Sequence, residues 1–142
     1  MDDGKEKRYS EIIEAAKHAR DNSYSPYSKY KVGAAVIAGS GKIYTGCNIE
    51  NASFGLTICA ERAAVFSAIS AGEKEIAAIA VAAKAVTMCG ACRQVLAEFA
   101  QPKTDVIYVD WDDDYKDHKL FFTTLGALLP CIFNSEDAGL EK

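Results

Sequence analysis

The chain has 142 residues, of which 49% are hydrophobic and 25% are charged, a balance that is ordinary for a globular protein and predicts a single domain over residues 1–142. Its net charge of -4 argues against a nucleic-acid partner, because contacts with phosphate need clustered positive charge. The charged N-terminus and the lack of a long apolar run predict a cytoplasmic protein with no membrane partner.

The first half of the chain predicts a helix followed by a hairpin. Apolar residues recur at helical spacing from Tyr9 to about Asn22, and the helix is broken before Pro26. Two apolar stretches, Lys31–Ala38 and Ile43–Asn48, flank Gly39–Lys42, which has the composition of a hairpin turn. Two antiparallel strands are therefore expected.

The second half alternates helices and strands. Cys59 to about Ala71 predicts a helix that ends before Gly72, and Gly90 to about Ala100 predicts another. Short apolar runs at Ile76–Ala82 and Asp105–Asp110 predict buried strands. The order α-β-β-α-β-α-β predicts a mixed sheet with helices on both faces, which is a three-layer α/β/α sandwich.

Three cysteines fall at the predicted first turns of two helices. Cys59 opens one helix, and Cys89 and Cys92 open the next. The positive end of a helix dipole lowers the pKa of a thiol and so favours the thiolate that binds metal. Positions i and i+3 share a helix face, so Cys89 and Cys92 can bind one ion with Cys59 as the third ligand. The pattern predicts a zinc site.

Three protein ligands leave the fourth position of a tetrahedral zinc open, as in catalytic sites. Three thiolates also give the site a net charge of -1, which opposes ionisation of a water molecule. Glu61 can accept the proton of that water directly. We hypothesise that Arg62 donates a hydrogen bond to a ligand thiolate and offsets part of the negative charge.

Other uses of the cysteines stay open. A closed structural zinc site would take Cys47 or Cys131 as a fourth ligand, but it would not explain Glu61. A redox Cys-x-x-Cys motif would need a thioredoxin-like setting, which is absent around Cys89. We expect Cys47 and Cys131 to be small buried apolar residues rather than ligands.

Taken together, several motifs closely resemble the small, three-cysteine form of the cytidine deaminase family. The segments that carry this resemblance are Tyr24–Ala35, Gly46–Ala52, Cys59–Arg62, Cys89–Leu96, Leu128–Pro130, Phe133 and Glu136–Asp137. They cover nearly the whole chain in the family's order, which is far more specific than one motif. The resemblance implies a central mixed sheet of five strands, one zinc ion per subunit and a homotetramer with shared active sites.

The resemblance also implies a reaction. Cytidine and deoxycytidine would be hydrolysed to uridine and deoxyuridine with release of ammonia, as part of pyrimidine salvage. Water activated by the zinc would attack C4 of the cytosine, while Glu61 takes the water proton and returns it to N3 and the leaving amine. One carboxylate would serve first as base and then as acid.

Five further residues receive substrate contacts by resemblance. Asn48 and Glu50 would hold the ribose 3′-hydroxyl, since an amide supplies a donor and a carboxylate an acceptor; a pair that only caps a strand is the alternative. The backbone of Ala60 would contact the base, and Tyr30 would pack beside it. Phe133 would reach the base in a neighbouring subunit, with a place in the core as its alternative.

The chain departs from the family pattern just before the second cysteine pair. Met88 stands where the family usually has proline, and the stretch Ala82–Thr87 is shorter than the usual loop. Proline would fix φ and help to preset the ligand loop, so we expect this loop to be more mobile or to be held by other contacts. Tyr30 also stands where phenylalanine is more frequent, which adds a hydroxyl at the edge of the pocket.

Two other enzymes remain open. One is a related deaminase of another cytosine nucleoside, such as blasticidin S, although Asn48 and Glu50 favour a ribose. The other is a polynucleotide editor, which would need a basic groove with aromatic side chains for a single strand. The acidic balance of the chain disfavours it.

Overall fold

The computed structural model describes residues 3–140 and 142. The elements in chain order are α1 (Asp3–Arg20), β1 (Gly33–Ala38), β2 (Ile43–Cys47), α2 (Ala60–Ser70), β3 (Ile76–Ala83), α3 (Gly90–Phe99), β4 (Asp105–Asp110), β5 (Lys119–Thr124) and α4 (Leu125–Leu128). A short 3₁₀ turn, Phe54–Leu56, lies between β2 and α2.

The five strands form one mixed sheet in the order β2-β1-β3-β4-β5. β1 pairs antiparallel with β2 and with β3, and β5 pairs antiparallel with β4. β3 and β4 are parallel, and the chain between them passes through α3, since parallel neighbours need a crossover connection. The loop that leaves the carboxyl end of β3 leads directly to Cys89.

Helices cover both faces of the sheet, and each face has its own apolar core. α1 packs on one face through Tyr9, Ile12, Ile13 and Ala16. α2 and α3 pack on the other face, where their buried residues include Ala64, Val65, Ala68, Cys92 and Leu96. Successive side chains of a strand point to opposite faces, so β1, β3 and β4 contribute to both cores. The predicted three-layer α/β/α sandwich with a mixed five-stranded sheet is confirmed.

A glycine in β2 lets α2 lie directly against the sheet. A Cβ atom at Gly46 would stand 2.4 Å from the backbone nitrogen of Ala64 and 2.7 Å from the carbonyl oxygen of Ala60. No side chain fits at such distances. The contact therefore fixes the height of α2 over β2 and, with it, the place of the first turn of α2.

The structure differs from the sequence prediction at three elements: α1 is longer, and the pattern predicts neither β5 nor the short helix α4. α1 begins at Asp3 rather than near Tyr9, and its added turns are anchored by Lys5, whose Nζ lies 3.0 Å from Oδ1 of Asp105 on β4. The sequence pattern does not predict β5. This strand pairs with one neighbour only, and the alternation of polar and apolar residues along it is weak because an apolar residue, Phe121, is 56% exposed. An edge strand of this kind lacks the continuous apolar run that marks a buried strand.

Candidate metal centre and active site

The three cysteines predicted as ligands lie together. Cys59 and Cys89 occupy the N-cap positions of α2 and α3 in extended conformations, and Cys92 lies in the first turn of α3. Their Sγ atoms all lie within 4.8 Å of one another, and those of Cys89 and Cys92 are 3.4 Å apart. Thiolates about 2.3 Å from a tetrahedral zinc stand ~3.8 Å apart, so the donor set fits one zinc ion.

The surroundings of the cysteines favour ionisation of one thiol over its neighbours. The Cys92 thiol, by hydrogen bonding, and then Arg62 together lower the pKa of Cys59 to about 5 despite burial. The same hydrogen bond with Cys59, together with burial, raises the pKa of Cys92. Closely spaced thiols share their protons in this way, and a cation placed among them would displace those protons.

Arg62 contacts the cluster from one turn along α2. Its Nη2 donates a hydrogen bond of 3.2 Å to Sγ of Cys59. Its Nε is buried and has no hydrogen-bond partner among the described residues. The charge-assisted contact with Cys59 places the positive charge of the guanidinium next to the cluster.

Glu61 lies next to the cluster and is only 5% exposed. Burial raises the pKa of its carboxyl group, and the nearby charge of Cys59 raises it further. Desolvation disfavours the charged form of a carboxylate. The Glu61 carboxyl group can therefore both take up a proton and hold it, which is the property required of a group that acts as base and then as acid.

Glu61 and two of the cysteines line a cavity of about 210 Å³. The residues around it are Ser28, Tyr30, Val32, Asn48, Glu50, Thr57, Ile58, Cys59, Ala60, Glu61, Val86, Thr87 and Cys89. A larger cleft of about 460 Å³ lies at the amino ends of β3 and β4. None of the clustered cysteines lines that cleft, so the smaller cavity is the candidate active site.

Asn48 is buried at the wall of this cavity and is largely engaged within the chain. Its Oδ1 accepts hydrogen bonds from the Val32 backbone at 3.0 Å and from the Ser23 hydroxyl, and its Nδ2 donates to the Tyr30 carbonyl at 2.7 Å. A primary amide has two N–H donors. One donor is used by Tyr30, which leaves the second for a group in the cavity.

Glu50 lies at the cavity rim as a hydrogen-bonded carboxylate. Its Oε1 accepts from the backbone nitrogens of Tyr27 at 2.9 Å and Ser28 at 3.0 Å, and its Oε2 accepts from the Ser28 hydroxyl. The hydrogen bond from the Ser28 side chain is the main reason why the pKa of Glu50 is lowered. Three donors thus fix an ionised carboxylate beside the cavity.

Tyr30 and Ala60 complete the predicted set at the cavity. Tyr30 is 41% exposed, and its hydroxyl donates a hydrogen bond of 2.6 Å to the carbonyl of Lys84. Ala60 is fully buried and is the first residue of α2, where a backbone N–H has no partner within the helix. Both residues line the same cavity as Asn48 and Glu50.

The chain matches known proteins over most of its length. A family model described as the cytidine and deoxycytidylate deaminase zinc-binding region matches residues 6–109. This chain belongs to the cytidine deaminase family. A cytidine deaminase of Sporosarcina psychrophila is 45% identical over 129 residues, which are 89% of this chain and 91% of that protein. One of Halalkalibacterium halodurans is 44% identical over 129 residues, covering 89% and 94%.

Solved structures of the same family share the fold. The crystal structure of cytidine deaminase from Burkholderia pseudomallei matches with a TM-score of 0.78 and 45% identity, covering 88% of this chain and 98% of that one. The Mycobacterium tuberculosis cytidine deaminase structure matches with a TM-score of 0.72 and 35% identity, covering 89% and 97%. The predicted family and its zinc cofactor are confirmed. No helix within residues 3–140 is long and apolar enough to cross a membrane.

The burial expected for the two cysteines outside the zinc cluster was wrong, and the alternative of a place in the core does not hold for Phe133. Phe133 is not a core residue: it is 67% exposed, and it does not line the cavity of its own chain. Cys131 is exposed and Cys47 is only partly buried, so neither is a small buried apolar residue. Cys131 has a φ of 53° in an irregular segment after α4, which keeps it away from both cores.

Other residues at the site had no individual signal in the sequence. Val86 and Thr87 line the cavity because the loop before Cys89 runs along it. Ser28 makes three hydrogen bonds through its backbone N–H and its hydroxyl: both groups donate to Glu50, and the hydroxyl accepts from the Tyr30 N–H. Ser28 did fall within a segment that resembles the family, but its contact with Glu50 spans two separate parts of the chain and only the fold shows it.

Proposed function

We propose that this chain catalyses the zinc-dependent hydrolytic deamination of cytidine and deoxycytidine to uridine and deoxyuridine, with release of ammonia. The observation that carries the proposal is the meeting of a three-cysteine metal centre and a buried carboxyl group, Glu61, in one cavity. Curated relatives that are 44–45% identical over most of their length are cytidine deaminases, which supports the same substrate class here.

The metal would be held by Cys59, Cys89 and Cys92. When bound, zinc would act as a Lewis acid that lowers the pKa of a water molecule, so that the water can attack carbon at neutral pH. A three-thiolate site needs compensation for its negative charge. Arg62, at 3.2 Å from Cys59, supplies a positive charge for this purpose in our proposal.

Glu61 would move the protons of the reaction. Its carboxylate takes a proton from the attacking water and delivers it to N3 of the cytosine ring as the C4–O bond forms. It then carries the second water proton to the amine as the C4–N bond breaks, so that ammonia leaves and the C4 carbonyl of uridine remains. Burial of Glu61 suits this cycle, because the raised pKa brings the acid and base forms closer in energy at neutral pH.

The nucleoside would be held by residues at the cavity wall. The second N–H of Asn48 and the ionised carboxylate of Glu50 match the acceptor and donor of a ribose hydroxyl. Their hydrogen bonds to Tyr30, Tyr27 and Ser28 preorganise them for this contact. The backbone of Ala60 would contact the base, and the Tyr30 ring would pack beside it.

The rest of the assignment belongs to the same proposal. We place the activity in a single domain spanning residues 1–142, of which residues 1, 2 and 141 lie outside the described part. A homotetramer with Phe133 entering a neighbouring site, a cytoplasmic location and a role in pyrimidine salvage are supported by the family resemblance. An exposed aromatic side chain at Phe133 is compatible with a contact between subunits.

The deciding measurement is the loss of ultraviolet absorbance when purified, zinc-loaded protein is mixed with cytidine. Glu61→Gln keeps the shape of the side chain but removes the base, so we expect turnover to fall by about 10²-fold to 10⁴-fold or more. Zinc content should be unchanged. Glu75→Gln, in the distant cleft, is the matched control and should retain full turnover.

The same assay separates the alternatives. Turnover of blasticidin S in preference to cytidine would favour the related deaminase, and turnover of a single-stranded oligonucleotide would favour a polynucleotide editor. If the folded, zinc-loaded wild-type chain is as inactive on cytidine as Glu61→Gln, the proposed function is wrong. A structural zinc domain would then be the better account.

A further inference from the structure

The segment that connects β3 to Cys89 contains a buried backbone donor. Met88, directly before Cys89, has a backbone N–H, which a proline at this position would lack. Met88 is 2% exposed, and a buried N–H needs a hydrogen-bond partner. With methionine at this position, no proline ring fixes φ, and the fold must satisfy the buried N–H.

Side chains from two different elements bind the backbone of Met88. The hydroxyl of Tyr108, a buried residue of β4, accepts the Met88 N–H at 3.0 Å. Nε of Arg93, in α3, donates to the Met88 carbonyl oxygen at 2.9 Å. Both polar groups of Met88 are thus held, one from the sheet and one from the helix.

Packing restrains Cys89 and Cys92 to different degrees. Cys92 is 1% exposed and belongs to the core between α3 and the sheet, so packing holds it. Cys89 is exposed, so packing leaves it free to change its position. On its helix side the Cys89 carbonyl accepts a hydrogen bond of 3.1 Å from the Arg93 N–H, and on its other side the position of Cys89 depends on how the backbone of Met88 is held.

We propose that Tyr108 and Arg93 are positioning residues that hold the backbone of Met88 and thereby preset Cys89 for zinc. In this chain, two hydrogen bonds replace the fixed φ that a proline would provide. Neither Tyr108 nor Arg93 lines the cavity or belongs to the cysteine cluster; they act through Met88. The proposal rests on the assignment of Cys89 as a zinc ligand.

The first test measures zinc release from the intact, zinc-loaded protein to an excess of a coloured chelator. Tyr108→Phe removes the hydroxyl and leaves the ring, and we expect release to become about tenfold faster, as is usual when a group that orients a ligand is lost. Tyr9→Phe is the matched control, because it removes another buried tyrosine hydroxyl, which binds Asp105 in a different part of the fold. Its release rate should equal that of the wild type.

The second test asks whether Tyr108 acts through the Met88 N–H. Met88→Pro removes this donor, so Tyr108→Phe should change release less than about twofold in that background. Met88→Leu keeps both the donor and most of the side-chain volume, so Tyr108→Phe should retain its roughly tenfold effect there. Arg93→Gln, which removes the bond to the Met88 carbonyl, should also speed release in the otherwise wild-type chain.

Equal release from Tyr108→Phe and Tyr9→Phe would overturn the proposal, even if Met88→Pro fails to fold. An undiminished effect of Tyr108→Phe in a folded Met88→Pro variant would overturn it as well. Cys89→Ala separates the proposal from its premise: wild-type zinc content and release in that variant would refute the ligand assignment itself. These outcomes are read from metal release and therefore do not depend on the deaminase assay.

Discussion

At the scale of single residues, three residues at the start of α2 supply a metal ligand and the charged groups beside it. Cys59, Glu61 and Arg62 follow one another at the start of α2, yet they serve different purposes because the first helical turn directs them differently. Cys59 and Glu61 line the cavity, while Arg62 bonds the Cys59 thiol at 3.2 Å. A short run of sequence can therefore carry a ligand, a proton carrier and a counter-charge.

Arg62→Gln should shift the pH dependence of zinc binding. Arg62 helps to lower the pKa of Cys59, so its loss raises that pKa and lets protons compete better with the metal. We expect zinc affinity at neutral pH to fall about tenfold or more, and zinc to be lost at a higher pH than in the wild type. Competition with a chelator across a pH series measures both, and identical curves for the two proteins would rule out the charge role of Arg62.

Glu50→Gln tests the contact with ribose. The substitution removes a charged acceptor, so we expect kcat/KM for cytidine to fall about tenfold or more. With 3′-deoxycytidine, which lacks the hydroxyl in question, wild type and variant should differ little. A similar loss on both substrates would instead assign Glu50 to holding Ser28 and Tyr27, which is the capping alternative.

At the scale of elements, the site exists because the first turns of α2 and α3 meet over the sheet. The β3-α3-β4 crossover delivers Cys89 and Cys92 to the carboxyl end of β3. α2 brings Cys59 to the same place because Gly46 lets its backbone approach β2. Neither helix alone holds three ligands, so the relative position of the two helices decides the metal geometry.

Gly46→Ala should therefore damage both stability and the site. Its Cβ would collide with backbone atoms at 2.4 Å and 2.7 Å, and α2 would have to shift outward. We expect the free energy of unfolding to fall by about 1–3 kcal/mol and zinc to be released faster. Chemical denaturation and chelator competition measure these effects.

Gly4→Ala is the control for that substitution, because its Cβ would meet nothing within 4 Å in the exposed first turn of α1. It should leave stability unchanged or raise it by up to about 1 kcal/mol, since alanine favours a helix. Equal stabilities for the two variants would show that the close approach at Gly46 is not needed.

At the scale of the whole molecule, one cavity of about 210 Å³ is lined by the segment between β2 and α2, the first turn of α2 and the loops that follow Tyr27 and Lys84. Phe133 stands outside it, and is 67% exposed. Single exposed apolar side chains are common on protein surfaces, so the proposed role of Phe133 is drawn from the family resemblance and not from its exposure. In our proposal, a neighbouring subunit covers Phe133, and Phe133 completes a site on that subunit.

Light scattering should therefore give the mass of four chains, and Phe133→Ala should lower kcat/KM without loss of zinc. Mixing Phe133→Ala with the inactive Glu61→Gln subunits should restore part of the activity, because some sites in the hybrid combine an intact Glu61 with an intact Phe133. Activity no greater than the sum of the separate variants would argue against shared sites, and the mass of a single chain would exclude the tetramer.

The sequence alone predicted the features of this protein that depend on local geometry. Short-range spacing was sufficient to predict the three cysteines, the hairpin at Gly39–Lys42 and the helix end at Gly72, whose φ is +96°, because caps, turns and i, i+3 pairs depend on local geometry. Resemblance to the family, not periodicity, supplied the fifth strand. The pattern missed β5 because an edge strand carries little burial signal of its own.

Only the tertiary structure decided which distant groups meet. Three hydrogen bonds join segments that are far apart in the chain. They connect the Met88 N–H to the Tyr108 hydroxyl, the Ser28 N–H to Glu50, and the Asn48 amide to the Tyr30 carbonyl. The exposed position of Phe133 was equally invisible, because an apolar residue type does not state whether a core or a surface receives it. Which residues can bind the metal follows from local residue chemistry, whereas the positions of those residues follow from long-range packing.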